Sequence, residues 1–161
     1  MKSLILGGVK SGKSRYAESY LTKFVIENKL DEGSACLIAT AEALDKGMQA
    51  RIEKHKLQRP SSWKVIEEPI NLAKALKEAE QSASIILIDC LTLWLTNLLM
   101  KEDVAFLQEA VEQFLLAVSE CTAELVLVSN ETNMGVMPLG QLTRDYCDIA
   151  GSLHQSLAER C

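Results

Sequence analysis

A glycine-rich stretch near the start of the chain constrains the fold more than any other feature. Residues 7–14 fit the pattern G-x-x-x-x-G-K-[ST], follow the apolar run 4–6 directly, and precede a helical spacing of apolar residues. Glycines let the backbone N–H groups of such a loop point at one phosphate, and the N-terminus of the next helix adds its positive dipole end. The stretch therefore predicts a nucleotide site between a buried strand and a helix.

The last two residues of this stretch suit a bound triphosphate. Lys13 is expected to contact the outer phosphates, and the Ser14 hydroxyl to bind Mg²⁺. The alternative is a glycine-rich turn that binds nothing. The nucleotide-binding residues predicted in the loop are Gly7, Gly8, Val9, Lys10, Ser11, Gly12, Lys13 and Ser14.

Composition limits the class of protein and of partner. The 161 residues are 48% hydrophobic and 24% charged, which is typical of one globular domain, here residues 1–161. A net charge of -5 argues against a general nucleic-acid binder, so a small ligand is expected.

Cysteine spacing and apolar runs bear on the compartment. The five cysteines form no C-x-x-C pair, so neither a zinc site nor a disulfide framework is indicated. Residues 4–6 are too short for a signal peptide, and the apolar run 85–100 is short for a membrane span and contains Asp89. A cytoplasmic protein without membrane insertion is expected.

Strand-like and helical patterns alternate along the chain. Strands are predicted at residues 3–6, 35–39, 63–66, 84–88 and 124–128. Helices are predicted after the glycine-rich loop and at residues 45–59, 70–81, 91–100 (a buried helix or a subunit contact), 104–118 and 139–160. The alternation predicts an α/β fold with a parallel sheet, whose ligands lie at the carboxyl ends of the strands.

Three carboxylates fall at or near predicted strand ends. Asp89 ends the most strand-like run and is expected to hold the hydration shell of Mg²⁺, with a helix cap as the alternative. Glu67 and Glu131 are candidates for binding a base, a ribose or a substrate hydroxyl. Both are equally compatible with turn residues.

A basic stripe lies on the predicted helix 45–59. Arg51, His55 and Arg59 are spaced i, i+4 and i+8, so they share one face, and Lys56 lies beside them. Such a stripe suits a polyphosphate, and flanking arginines favour a neutral, nucleophilic imidazole. The alternative is a solvated helix face. His154, in a polar-looking part of the last helix, is given no function.

With these residues the chain resembles the bifunctional adenosylcobinamide kinase / adenosylcobinamide-phosphate guanylyltransferases of cobalamin biosynthesis. The resemblance rests on Gly7 to Arg15, Ile38 to Thr40, Met48 to Ile52, His55 to Pro60, Trp63 with Glu67, Asp89 to Thr92, Thr96 to Leu99, Ser129 to Glu131 with Gly135 and Pro138, and Asp148 to Gly151.

The resemblance implies a two-step enzyme. A nucleoside triphosphate, ATP or GTP, phosphorylates adenosylcobinamide, and GTP then donates GMP to that phosphate through a guanylyl-histidine, releasing pyrophosphate. The catalytic residues implied are His55, as nucleophile, and Lys13. The further nucleotide-binding positions implied are Ala39, Thr40, Ala41, Lys56, Leu57, Gln58, Arg59, Glu67 and Asp89.

The resemblance also implies a RecA-like P-loop NTPase fold and a homo-oligomer, typically a trimer. Lys10 stands where the family usually has arginine, and His154 where asparagine is usual. The chain stops at Cys161, before the apolar strand with which the family normally ends, so a sheet without that strand is expected.

Two alternative functions come from other classes. One is a plain P-loop kinase of another small metabolite, with His55 as a phosphate contact only. The other is a GTP-binding switch protein, which is disfavoured because no N-K-x-D motif follows a strand.

Overall fold

A computed structural model describes residues 1–42, 60–132, 134–135 and 138–161. The strands are β1 (Lys2–Gly7), β2 (Ala35–Ala39), β3 (Lys64–Glu67), β4 (Ile85–Asp89) and β5 (Glu124–Asn130). The helices are α1 (Lys13–Glu27), α2 (Leu72–Glu80), α3 (Leu91–Leu99), α4 (Val104–Glu120) and α5 (Gln141–Ala158), with a short 3₁₀ helix at Glu32–Ser34. The predicted helix 45–59 lies outside the described residues.

The five strands form one parallel sheet in the order β1-β5-β4-β2-β3. Strand β5, which comes last in the chain, therefore lies between β1 and β4. Because every strand points the same way, all the carboxyl ends meet at one edge, which is where α/β sheets bind their ligands. The predicted α/β class with a P-loop NTPase-like sheet is confirmed.

Alternate residues of the central strands pack on opposite faces of the sheet, as a strand period of two requires. Ile86 and Ile88 face α2 to α5, whereas Ile85 and Leu87 face α1 and Trp63. All four side chains are fully buried. Continuous apolar runs are typical of strands that are covered on both faces, which explains why these strands are not amphipathic in sequence.

Several element boundaries differ from the predicted ones by one or two residues, and two of these differences have a clear structural reason. Helix α2 begins at Leu72 rather than residue 70, because the Glu68 carboxylate accepts hydrogen bonds from the Ile70 and Asn71 N–H groups at 2.9 and 2.8 Å. Strand β5 continues to Asn130 because it pairs with β1 up to Gly7. The ladder, rather than the local apolar run, thus sets the strand length.

The apolar segment 91–100 forms the buried helix α3. Leu91, Trp94, Leu95 and Leu98 are fully buried within the chain, whereas Thr96, and Met100 just after the helix, are exposed. The buried-helix prediction is confirmed, and this face of α3 already belongs to the core. In the described part of the chain, no helix combines the length and apolar character needed to cross a bilayer.

Candidate functional site

The carboxyl ends of the strands bring several predicted site residues into one row. Pairing places Gly7 opposite Asn130, Asp89 opposite Val128 and Ala39, and Ala39 opposite Glu67. Neighbouring strands are ~4.8 Å apart, so the ends of β1 and β3 are separated by roughly 19 Å across the sheet. The row is therefore long enough to run along an extended nucleotide.

The glycine-rich loop turns directly from β1 into α1. Gly12 has φ +91°, a left-handed conformation that favours glycine, and its carbonyl accepts the first helical hydrogen bond from the Tyr16 N–H at 2.9 Å. A Cβ on Gly7 would lie 2.9 Å from the Ser11 hydroxyl oxygen. The two glycines thus have distinct roles: Gly12 permits the turn into α1, and Gly7 permits close packing against Ser11 across the loop.

The Lys13 side chain folds back over this loop. Its Nζ donates to the Gly8 carbonyl at 2.6 Å and lies 3.5 Å from the Ser11 hydroxyl. Residues 8–12 are exposed, so an anion has free access to the loop. The ammonium group and the positive end of the α1 dipole point to the same place, where a phosphate would be stabilised by both.

Asp89 lies at the same sheet edge as the loop, half-buried at the end of β4. Strand β5 separates it from β1, which corresponds to roughly 10 Å between strand ends. The α1 helix, whose first turn holds Ser14, packs on β4 as well as on β1 and β5. A hydroxyl and a carboxylate facing a triphosphate site are hard oxygen donors, which fit Mg²⁺.

Among the residues whose positions are described, no three or more histidine, cysteine or acidic side chains form a cluster suited to a metal. Two protein donors suit Mg²⁺ because this ion usually keeps several waters and substrate phosphates as ligands.

Thr40 and Cys90 join the ends of β2 and β4. The Thr40 hydroxyl donates to the Cys90 carbonyl at 2.7 Å and accepts from the Cys90 N–H at 3.0 Å. The whole of Thr40 is buried, and its backbone N–H donates to the Asp89 carbonyl at 3.3 Å, so Thr40 ties the ends of β2 and β4 together. Burial, together with the charge of Asp89, raises the pKa of the Cys90 thiol to about 11. Cys90 is therefore protonated at neutral pH and is not a thiolate nucleophile.

Asn97, which has no assigned role in the sequence analysis, holds two loops at this edge. Its buried side-chain amide donates to the Thr40 carbonyl at 2.9 Å and to the Pro69 carbonyl at 3.2 Å. The loops after β2 and β3 are thereby fixed to α3. A polar residue inside the apolar run 91–100 is the sequence signal that could have singled it out.

The basic stripe is not among the residues that the structure describes. The predicted site residues that fall there are His55, Lys56, Leu57, Gln58 and Arg59, together with Arg51. Glu42, the last described residue before them, follows β2 at the carboxyl edge of the sheet.

His154, which lies in a polar-looking part of the last helix in sequence, is buried in the structure. Its side chain is only 9% exposed, and its Nε2 lies 2.8 Å from the Ser129 hydroxyl oxygen near the end of β5. Leu153 and Leu157 share the buried face of the helix with His154, whereas the next residue, Gln155, is exposed. The burial of His154 is therefore not evident from its polar neighbour in sequence.

Comparison with known proteins agrees with this geometry. A family model described as cobinamide kinase / cobinamide phosphate guanyltransferase matches residues 3–161. A bifunctional adenosylcobalamin biosynthesis protein CobP of Pseudomonas aeruginosa is 47% identical, with 100% of this chain and 89% of the relative covered. Proteins named CobU from Escherichia coli and Salmonella typhimurium are 34% and 36% identical, each covering 98% of this chain and 90% of the relative. The chain thus belongs to the cobinamide kinase / cobinamide phosphate guanyltransferase family.

Proposed function

We propose that this protein carries out both reactions of its family, phosphorylation of adenosylcobinamide and guanylylation of the phosphate formed, at the carboxyl edge of the sheet. The observation that carries this proposal is the position of the Lys13 ammonium over the loop 7–14, at the sheet edge that also holds Asp89. Both reactions need a bound triphosphate, and this edge supplies the groups that bind one.

The triphosphate would lie along the loop 7–14. Its phosphates would accept hydrogen bonds from loop N–H groups, and Lys13 would exchange its bond to the Gly8 carbonyl for the outer phosphates. Ser14 and Asp89 would hold Mg²⁺, which neutralises charge that develops on the leaving phosphates. Glu67 and Ala39, at the far end of the row, lie where the nucleoside rather than the phosphates would be.

In the kinase step a corrinoid hydroxyl oxygen would attack the γ-phosphorus of ATP or GTP, the bond to the β,γ-bridging oxygen would break, and the hydroxyl proton would pass to solvent. Lys13 and the loop N–H groups would stabilise the leaving diphosphate. Holding both reactants at one edge turns a collision of two solutes into a reaction within one complex.

In the guanylylation step His55 would attack the α-phosphorus of GTP, and pyrophosphate would leave. The N–P bond then breaks when an oxygen of the corrinoid phosphate attacks the same phosphorus. One structural fact supports His55 as the histidine nucleophile. The chain has only one other histidine, and that residue, His154, is buried against Ser129.

The test uses the full chain with Mg²⁺ and GTP labelled at either the α- or the γ-phosphate. We expect the α-label alone to remain on the denatured protein, as one guanylyl group by intact mass, in an acid-labile and base-stable bond. When adenosylcobinamide is added together with ATP or GTP labelled at the γ-phosphate, this label should appear on the corrinoid product.

A matched pair of histidine variants makes the test specific. The adduct should be absent in His55→Ala and present in His154→Gln, because the His154 side chain is buried and bonded to Ser129. An adduct that survives in His55→Ala would contradict the proposed nucleophile. Binding of GTP without any adduct would contradict the guanylyl-histidine route.

Family membership decides between the functions that the motifs alone left open. A plain kinase of another metabolite and a GTP-binding switch both lack the second, guanylyl-transfer activity that the family carries.

We also propose that the protein is a homo-oligomer, a trimer as in the family. Because the apolar face of α3 is occupied by the core of its own chain, the subunit contact would use other residues. Light scattering after size-exclusion chromatography would measure the mass, and a monomer would contradict this proposal.

A further inference from the structure

A buried chain of polar side chains lies beneath the end of β5, and none of the steps above uses it. His154 of α5 lies 2.8 Å from the Ser129 hydroxyl, which lies 3.4 Å from the Thr92 hydroxyl of α3. The Thr92 oxygen in turn accepts the Asn130 N–H at 2.8 Å. Three elements, α5, α3 and β5, are thus joined by side chains at the carboxyl edge of the sheet.

A neutral His154 allows the donors and acceptors along these polar side chains to run in one consistent order. Because Thr92 accepts from the Asn130 N–H, its own hydroxyl proton is available to Ser129, and the Ser129 proton is then available to His154 Nε2. This order requires the proton of the neutral imidazole to be on Nδ1, an assignment that rests on the hydrogen-bond pattern. Burial lowers the pKa of His154, against the opposing effect of Glu131, and favours the same neutral form.

This row of hydrogen-bonded side chains ends next to the glycine-rich loop. Asn130 is paired with Gly7, and the N–H of the following residue, Glu131, donates to the Gly7 carbonyl at 3.1 Å. Gly7 is the position with no room for a Cβ beside Ser11. A shift of the β5 end would therefore move the first residue of the loop on which the nucleotide phosphates bind.

We propose that His154 is a positioning residue for the nucleotide: through Ser129 and Thr92 it fixes the end of β5, and through the Glu131–Gly7 hydrogen bond it fixes the start of the phosphate-binding loop. This inference rests on the proposed function for the identity of the bound nucleotide. It assigns His154 no contact with substrate and no proton transfer, because the residue is buried beneath the sheet edge.

The test compares two substitutions of the same residue. His154→Leu fills the apolar volume but removes the acceptor, whereas His154→Gln restores an acceptor near the position of Nε2. We expect His154→Leu to weaken GTP binding, measured by titration calorimetry on the full chain, about fivefold to tenfold, as the loss of one buried hydrogen bond implies. The maximal rate of guanylyl-adduct formation should change less than about twofold, since the reacting groups are untouched.

Further variants separate positioning from general stability. Ser129→Ala should weaken GTP binding as His154→Leu does, and the double variant should be no weaker than either, because both break one chain. Thr122 precedes β5 and lies at the opposite edge of the sheet. Thr122→Val removes the hydrogen bond that the Thr122 hydroxyl donates to the Glu80 carboxylate. It should lower the melting temperature without changing the Kd for GTP.

The outcomes distinguish this inference from the proposed function. Unchanged GTP affinity in folded His154→Leu and Ser129→Ala, with only a lower melting temperature, would overturn the positioning role and leave the proposed function intact. Failure of His154→Gln to restore affinity would also count against it. A wild-type chain that binds no GTP would overturn both, whereas GTP binding without adduct would overturn only the guanylyl-histidine step.

Discussion

Single residues at the glycine-rich loop are constrained by contacts that differ from one glycine to the next. Gly7 packs against the Ser11 hydroxyl and the Lys13 stem, while Gly12 provides the left-handed turn into α1. A methyl group at position 7 would therefore push on the two side chains that lie over the phosphate position.

The first prediction concerns that packing. Gly7→Ala should weaken GTP binding about fivefold, toward the low end of the cost of overpacking, because the Ser11 hydroxyl must move aside. Adding Ser11→Ala should recover part of the loss by freeing space. Calorimetric titration with GTP measures both variants.

The control for this substitution lies in another loop. At Gly140 the nearest atom to an added Cβ, the Thr143 hydroxyl oxygen, is 3.6 Å away, an ordinary contact. Gly140→Ala should bind GTP as the wild type does. A Gly7→Ala variant that also does so would contradict the close packing.

The element that organises the site edge is α3. From one helix, Asn97 binds the loops after β2 and β3, Trp94 donates its indole N–H to the Ile70 carbonyl at 2.8 Å, and Thr92 receives the Asn130 N–H. Three strand ends are thus fixed to one helix. The buried apolar face of α3 stabilises the fold, and its few polar side chains position the loops.

Asn97→Leu tests the role of α3. The substitution leaves two loop carbonyls without their donor, so the free energy of unfolding should fall by ~2 kcal/mol in urea titrations. The half-saturating GTP concentration for adduct formation should also rise, since Ala39, Thr40 and Glu67 lie beside the released loops.

Thr96→Ala, on the exposed side of the same helix, is the control and should change the free energy of unfolding by less than about 0.5 kcal/mol. Equal effects of the two substitutions would show that Asn97 has no special role.

In the whole molecule the two edges of the sheet carry polar groups of different kinds: hydrogen-bonded carboxylates at the amino edge and predicted site residues at the carboxyl edge. At the amino edge, the buried Glu124 carboxylate accepts the Tyr20 hydroxyl at 2.7 Å, and Glu80 accepts the Thr122 N–H and hydroxyl at 2.5 and 2.7 Å. Those predicted site residues that the structure describes lie at the other edge. The seven residues of β5 place roughly 20 Å between the two edges.

The hydrogen bond between Tyr20 and Glu124 predicts how the stability of the folded chain depends on alkaline pH. The hydrogen bond to Glu124, with burial, raises the pKa of Tyr20 to about 12. A raised pKa stabilises the folded chain fully below the unfolded value near 10, and this contribution is lost as the pH rises to about 12. Tyr20→Phe should remove that pH dependence and lower the melting temperature at pH 7 by about 2–4 °C. The affinity for GTP should be unchanged.

At acid pH, the stability of the folded chain should depend on the hydrogen bonds between Glu80 and Thr122. Hydrogen bonds from the Thr122 backbone and side chain lower the pKa of Glu80. A lowered pKa stabilises the folded chain above the unfolded value, and this contribution is lost as the pH falls through the folded value. Melting curves of Glu80→Gln should therefore vary less with pH in the acid range than those of the wild type. A parallel dependence in both proteins would contradict this role of Glu80.

Local patterns were sufficient to predict much of the fold. The strands Ala35–Ala39 and Ile85–Asp89, the helix that follows the glycine-rich loop, and the buried helix at Leu91–Leu99 all lie where the apolar spacing predicted them. Buried positions recur with the period of a helix or strand, so the spacing of apolar residues in the sequence predicts these elements directly. The burial of His154 could not be read in this way, since its hydrogen-bond partner Ser129 lies on a strand distant in sequence.

The sequence by itself determined that this chain has a parallel α/β fold with a phosphate-binding loop between β1 and α1, because spacing within one segment specifies both. Only the tertiary structure decided that β5 lies between β1 and β4, that Asn97 and His154 fix the strand ends, and that Thr40 bonds to Cys90. These contacts join residues far apart in the chain, and they depend on the order of strands in the sheet, which no local pattern encodes.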